Sequence, residues 1–281
     1  MIQFASKETE HLVRGMWKTC FEDTDEFIDL VFTDKYRHEN TLIYFENGVA
    51  AASLQMYPYS ITFYGQEIPF YYFAGLCTLP EYRKRGYMEQ LIKKAFSVMQ
   101  DRKIPLSILI PAEDWLYGFY AKYGYEKVFD KGVNLVPIRE IIDLYPDNMS
   151  EAYLEFESLF RNRDFCVQKS FTDFETIVEE YSSDGYPPKY NLAGMARIVD
   201  AKYLLDIFVE KNPDKSLSVE INDSLIKGNN LSYNINGGEK TMNVHVELLT
   251  RLLFGYHLKE LPAEYADFFE EHNPIMNLML E

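Results

Sequence analysis

Apolar residues recur at helical spacing twice near the start of the chain, at Leu12, Val13, Met16 and Trp17 and then at Phe27, Ile28, Val31 and Phe32. That spacing predicts two helices in succession. Ahead of them, Ile2 to Ala5 reads as a short strand and Ser6, with Glu8 and Glu10 in the next turn, as a helix N-cap. From Leu42 to Leu76 the pattern becomes β-branched and aromatic, broken at Glu46-Asn47-Gly48 and at Gly65-Gln66, which predicts antiparallel strands joined by tight turns. Helical spacing resumes after Gly86 at Met88, Leu91, Ile92, Ala95, Phe96 and Met99. A buried strand, Leu106 to Ile110, follows; then comes an aromatic-rich helix from Trp115 to Tyr123, closed by Gly124, and a strand from Tyr125 to Phe129.

Composition shifts between about Leu144 and Tyr190, where Tyr145-Pro-Asp-Asn and Asp184-Gly-Tyr-Pro-Pro bracket two helical segments, and a domain boundary is expected there. The last third predicts a smaller α+β unit. It has a helix from Asp200 to Val209, a meander from Leu217 to Asn236, and helices after Val246.

The 281 residues, 47% of them hydrophobic, can fill sizeable cores, which rules out a disordered chain. A net charge of −16 repels nucleic acid and favours cationic ligands. Three cysteines without C-x-x-C spacing suit a reducing compartment and argue against zinc. The five histidines show no metal-ligand spacing, so no metal is expected. No apolar run approaches the roughly 18 residues of a membrane span, and the first residues lack the features of a signal peptide, so a cytoplasmic protein is expected.

The most informative stretch is Leu76-Cys-Thr-Leu-Pro-Glu-Tyr-Arg-Lys-Arg-Gly-Tyr-Met88, which runs from a strand through a basic turn into a helix. Backbone N–H groups at such a helix start, with Arg83, Lys84 and Arg85 around them and Gly86 permitting close approach, can bind pyrophosphate. Charge alone equally fits a solvated basic turn.

The order strand, R-x-x-G-x turn, amphipathic helix, strand, then an aromatic helix ending in Tyr120-Ala-Lys-Tyr-Gly-Tyr125, resembles the GNAT N-acetyltransferases. The family's acetyl-CoA signature, [Q/R]-x-x-G-x-[G/A], falls on Arg83, Lys84, Arg85, Gly86, Tyr87 and Met88. Met88 departs from the usual small residue, which puts tight approach at that position in question. That bulky residue, the R-K-R-G turn and the added C-terminal unit resemble the enhanced intracellular survival acetyltransferases, whose C-terminal domain is sterol-carrier-like. The resemblance implies an α/β protein with a mixed sheet, a GNAT acyltransferase fold followed by a smaller sterol-carrier-like α+β domain. It implies a catalytic domain over residues 1–145, a helical connection over 146–190, and the second domain over 191–281, with a tail that returns to the active site.

The implied activity is acetyl transfer from acetyl-CoA to a primary amine on a small molecule, of the aminoglycoside, polyamine or lysine type. An alkyl ammonium with a pKa of about 10.4 must lose a proton before it attacks, and the departing thiolate must gain one. The resemblance gives the second task to Tyr120 and the first to the terminal carboxylate of Glu281, beside whose own side chain lies a second carboxylate. It also sets main-chain groups of Leu76, Cys77 and Thr78 along the pantetheine. Cys77 also invites a nucleophile reading, but nothing near it in sequence would activate the thiol and a small buried apolar role is the ordinary one. A competing reading makes the chain a lipid- or acyl-CoA-binding module. The oligomeric state stays open, a homo-oligomer included.

Overall fold

The computed structural model describes residues 1–131, 136–183, 193–266, 268–276, 278 and 279. The chain divides into two compact units, one built from Met1–Pro58 with Tyr71–Arg102 and the other from Tyr59–Phe70 with Lys103–Met279.

The first unit contains β1 (Ile2–Phe4), α1 (Glu10–Cys20), α2 (Asp25–Asp34), β2 (Thr41–Glu46), most of β3 (Val49–Phe63) and of β4 (Gln66–Thr78), and α3 (Tyr87–Asp101). Its strands lie in the order β1-β2-β3-β4. β1 runs antiparallel to β2 with Ile2 opposite Tyr44, and β2 antiparallel to β3 with Leu42 opposite Leu54. Asn47 and Gly48, at φ 51° and 83°, form the two-residue turn whose left-handed residues match the strand twist. From Ala50 to Tyr57 every residue of β3 is buried, so the alternation expected of a half-exposed strand is absent and both faces are covered. α3 buries Leu91, Ile92, Ala95, Phe96 and Met99, and its first residue Tyr87 stacks on Tyr44 of β2 at 4.2 Å between centroids. One expectation shifts by a turn: α1 begins at Glu10 rather than after Ser6, because the amides of Thr9 and Glu10 both bond back to the Ser6 carbonyl and close a separate turn first.

The second unit contains β5 (Leu106–Leu109), α4 (Asp114–Ala121), β6 (Glu126–Phe129), α5 (Ile138–Leu144), α6 (Met149–Ser158), β7 (Val167–Gln168), α7 (Phe171–Ser183), β8 (Gly194–Ile198), α8 (Ala201–Lys211), β9 (Leu217–Asn222), β10 (Ser232–Ile235), β11 (Thr241–His245), α9 (Val246–Leu253) and α10 (Ala263–Ala266). β8 lies between β5 and β6 and is antiparallel to both, with Leu106 opposite Ile198 and Glu126 opposite Ala196. A segment that sequence reading assigns to the C-terminal region therefore completes the strand layer next to α4. A second sheet has the order β10-β9-β11, with β10 antiparallel and β11 parallel to β9. α9 packs against β6 and β8, where Phe254 meets Phe129 edge-on. α5, α6 and α7 share a separate apolar cluster around Ile141, Phe156, Phe174 and Ile177.

Candidate active site

β4 delivers Leu76 and Thr78 half-buried and Cys77 buried to the start of the basic turn. A short 3₁₀ turn, Pro80–Tyr82, follows, and then Arg83, Lys84 and Arg85 stand exposed. Lys84 takes φ 62° and Gly86, the N-cap of α3, takes φ 77° with no side-chain cap. These left-handed residues turn successive N–H groups toward one side, the backbone arrangement that forms an anion cradle. Among the described residues no acceptor meets the amides of Tyr87, Met88 and Glu89, the first turn of α3. None of the three basic side chains forms an ion pair within that same set. Arg83 Nε donates to the Thr78 carbonyl at 3.1 Å, and Arg85 donates to the Glu81 carbonyl at 2.9 Å while lying over the Tyr82 ring. Their side chains are thus anchored while the charge stays in solvent. Met88 is half-buried, and the bond donors of the turn are main-chain groups that its side chain does not replace.

In the second unit, α4 carries Tyr120. The side chain is 7% exposed, held edge-on by Phe119 at 5.2 Å and Tyr125 at 5.9 Å. Burial, with a smaller push from Tyr123, raises its hydroxyl well above the ordinary tyrosine value. No hydrogen-bond partner of that hydroxyl exists among the described residues. Gly124, at φ 83°, ends the α4 turn where Arg197 packs: a Cβ there would sit 2.5 Å from Arg197 Nε. Glu281, the expected base, lies outside the described residues. An open cleft of about 970 Å³ runs beside α4 past Glu113, Tyr117, Gly118, Glu126 and Lys127, and Tyr120 does not line it.

Comparison with known proteins fits this arrangement. Residues 2–128 match the model of the acetyltransferase (GNAT) domain, a span that includes both the basic turn and Tyr120. Residues 2–128 form a GNAT acetyltransferase domain. Among solved structures, a GCN5-related N-acetyltransferase from Anabaena variabilis is 16% identical, with a TM-score of 0.63 over 98% of both chains. A conserved protein of unknown function from Enterococcus faecalis is 18% identical, with a TM-score of 0.62 over 98% of both chains. Eis1 from Mycobacterium abscessus is 10% identical, with a TM-score of 0.61 over 98% of this chain and 100% of that one. At such identities the fold is what is shared, and it extends well past the GNAT domain. A search of curated proteins finds no match.

The GNAT domain also holds polar groups that sequence reasoning passed over. Gln55 and Tyr36 are 0% and 4% exposed, and the Gln55 Nε2 and the Tyr36 hydroxyl have no partner among the described residues. Tyr57 donates to the other end of the same amide, Gln55 Oε1, at 2.9 Å. Gly75 takes φ 55° inside β4, and a Cβ on it would lie 2.6 Å from the Trp17 ring and 2.8 Å from Gln55 Nε2. Burying a donor without an acceptor costs about 1–3 kcal/mol, which is a reason to look for what satisfies it. The signals were a glutamine within Ala52-Ser-Leu-Gln-Met-Tyr57 and a glycine within Phe73-Ala-Gly-Leu76. His272 stacks on Phe165 at 4.2 Å.

Proposed function

We propose that the protein is an N-acetyltransferase that moves the acetyl group of acetyl-CoA to a primary amine on a small molecule. The observation that carries this reading is the turn from Arg83 to Met88, where main-chain donors without acceptors and cations without ion pairs among the described residues suit a pyrophosphate in a chain of net charge −16. Acetyl-CoA supplies the thioester. The amides of Arg85 to Met88 bind its diphosphate, and main-chain groups of Leu76, Cys77 and Thr78 align its pantetheine arm.

Tyr120 holds a proton throughout the neutral range, because burial disfavours its phenolate, and gives it to the sulfur as the carbon–sulfur bond breaks. The terminal carboxylate of Glu281 takes the proton that the amine must lose. The Gln55 amide and the Tyr36 hydroxyl supply donors to oxygens of the acceptor, a reading supported by their burial without partners. The domain assignment that goes with this chemistry is catalytic over 1–145, connecting over 146–190 and sterol-carrier-like over 191–281, with β8 returned to the α4 layer. Among the described residues no helix is long and apolar enough to cross a membrane.

The test is thiol release from acetyl-CoA by purified protein against a panel of aminoglycosides, polyamines and lysine derivatives. Amine-dependent release with mass-confirmed acetylation of the amine supports the reading. Binding of acetyl-CoA without turnover on any amine points to a non-catalytic acyl-CoA-binding role.

A further inference from the structure

Cys20 ends α1 and is half-buried; Cys77 lies near the end of β4 and is 3% exposed. The Cys20 Sγ donates to the Thr78 carbonyl at 3.5 Å, and Arg83 Nε donates to the same oxygen at 3.1 Å. Thiol and guanidinium therefore converge on one atom. The Cys77 Sγ sits 3.2 Å from Ser53 Oγ, and the Thr78 carbonyl that Cys20 meets belongs to the next residue of the same strand. The arrangement puts a reachable sulfur beside a cation, with a second sulfur sheltered behind it.

We propose that Cys20 is a peroxide-reactive thiol and that Cys77 resolves it as a disulfide. The Cys20 thiolate attacks one oxygen of a hydroperoxide, breaking the O–O bond to give a sulfenic acid and hydroxide or alkoxide. The Cys77 thiol then attacks that sulfur, and its proton leaves with the hydroxyl as water. Two thiols are oxidised and one peroxide is reduced, so no further reactant is needed.

The ionisation pattern agrees with these roles. Hydrogen bonding from Cys77, followed by the influence of Arg83, lowers the Cys20 thiol to about 7 against the opposing effect of burial. The bond to Cys20 and burial raise Cys77 well above the ordinary thiol range, so it is Cys20 that ionises first. Burial pushes Cys166 up to about 12, which leaves it inert under the same conditions. The disulfide would remove the hydrogen bond of Cys20 to Thr78, the carbonyl that also anchors Arg83.

The experiment treats reduced, full-length protein with hydrogen peroxide at neutral pH, caps remaining thiols by alkylation, and maps peptides without reduction. The expected product is a peptide pair joined through Cys20 and Cys77, lighter by two hydrogens, with Cys166 alkylated. In Cys77→Ala the sulfenic acid on Cys20 should persist long enough to be trapped by dimedone. Should that variant fail to fold, the alkylation rate of Cys20 against pH in the unmodified chain decides. Half-maximal rate near pH 7, moving up by about one pH unit or more in Arg83→Gln, supports the proposal. All three thiols still open to alkylation after peroxide, or a Cys20 profile of an ordinary thiol near about 8.5, would overturn it.

Discussion

Replacing Tyr120 by Phe removes one hydroxyl and leaves the ring in place. The ring's edge contacts with Phe119 and Tyr125 are apolar and survive, and the hydroxyl bonds to nothing among the described residues. The loss in folding stability should therefore be within about 0.5 kcal/mol, the range of a substitution that breaks no named interaction. If the hydroxyl protonates the departing sulfur, turnover should fall by roughly 10²- to 10⁴-fold, equivalent to about 3–5 kcal/mol on the barrier. Tyr125→Phe is the opposite case. Its hydroxyl is fully buried and 2.6 Å from the buried Ser107 hydroxyl, so removal strands a polar group and should cost about 1–3 kcal/mol of stability while sparing kcat. The assay is thiol release at saturating acetyl-CoA and amine, beside urea unfolding of both variants. A Tyr120→Phe enzyme within about twofold of the parent kcat would refute the role, since general acid catalysis contributes at least about 10²-fold. Loss of turnover in Tyr125→Phe instead would move that role to Tyr125.

Further outcomes are expected elsewhere in the chain. Gly86 and Gly124 both have left-handed backbones, but a Cβ at Gly86 meets open space while one at Gly124 meets Arg197 at 2.5 Å. Gly86→Ala should cost about 1–2 kcal/mol, the conformational penalty alone, whereas Gly124→Ala should cost clearly more, read as the difference between their urea midpoints. Burial holds the His272 imidazole below its ordinary 6.5, despite Asp164 and Glu270, so the unfolded chain takes up the proton first as pH falls. Its contribution to stability is complete above about pH 6.5 and drains below it; His272→Asn should flatten the slope of Tm against pH in that window, and an unchanged slope would exclude the residue. Residues appended after Glu281 should cripple turnover and leave acetyl-CoA binding intact, and equal turnover with and without the extension would remove the terminal carboxylate as base.

Local periodicity made the GNAT-like half of the fold readable. The spacing of Leu91, Ile92, Ala95 and Met99 fixes the buried face of α3, and Asn47-Gly48 supplies positive φ at the first hairpin turn, while the second falls one residue ahead of the expected Gly65-Gln66, at Tyr64-Gly65. What stayed hidden depends on partners distant in sequence. No strand is expected ahead of the Asp200 helix in the segment assigned to the second domain, yet β8 forms there and its register sets it between β5 and β6, a pairing no short window encodes. Arg197 within Gly194-Met-Ala-Arg-Ile198 looks like a surface position. It is fully buried because Asp223 meets it with both carboxylate oxygens, at 2.8 and 2.7 Å, and the Tyr123 carbonyl accepts from its Nε. Despite the penalty of burial, Arg197 holds the Asp223 carboxyl below its usual range. The basic turn was legible as a motif, but the left-handed Lys84 and the empty first-turn amides are three-dimensional facts. Gln55 and Gly75 acquire meaning only when the side chain of one is seen against the backbone of the other.

Calorimetric titration of untagged protein with acetyl-CoA, beside Arg83→Glu and Lys84→Glu, tests the assignment of the Arg83–Met88 turn most directly. The account predicts saturable binding that weakens with each charge reversal and with added salt, as a diphosphate held by exposed cations and main-chain amides requires. Binding of equal strength in all three proteins would contradict it, and so would no binding to the parent chain.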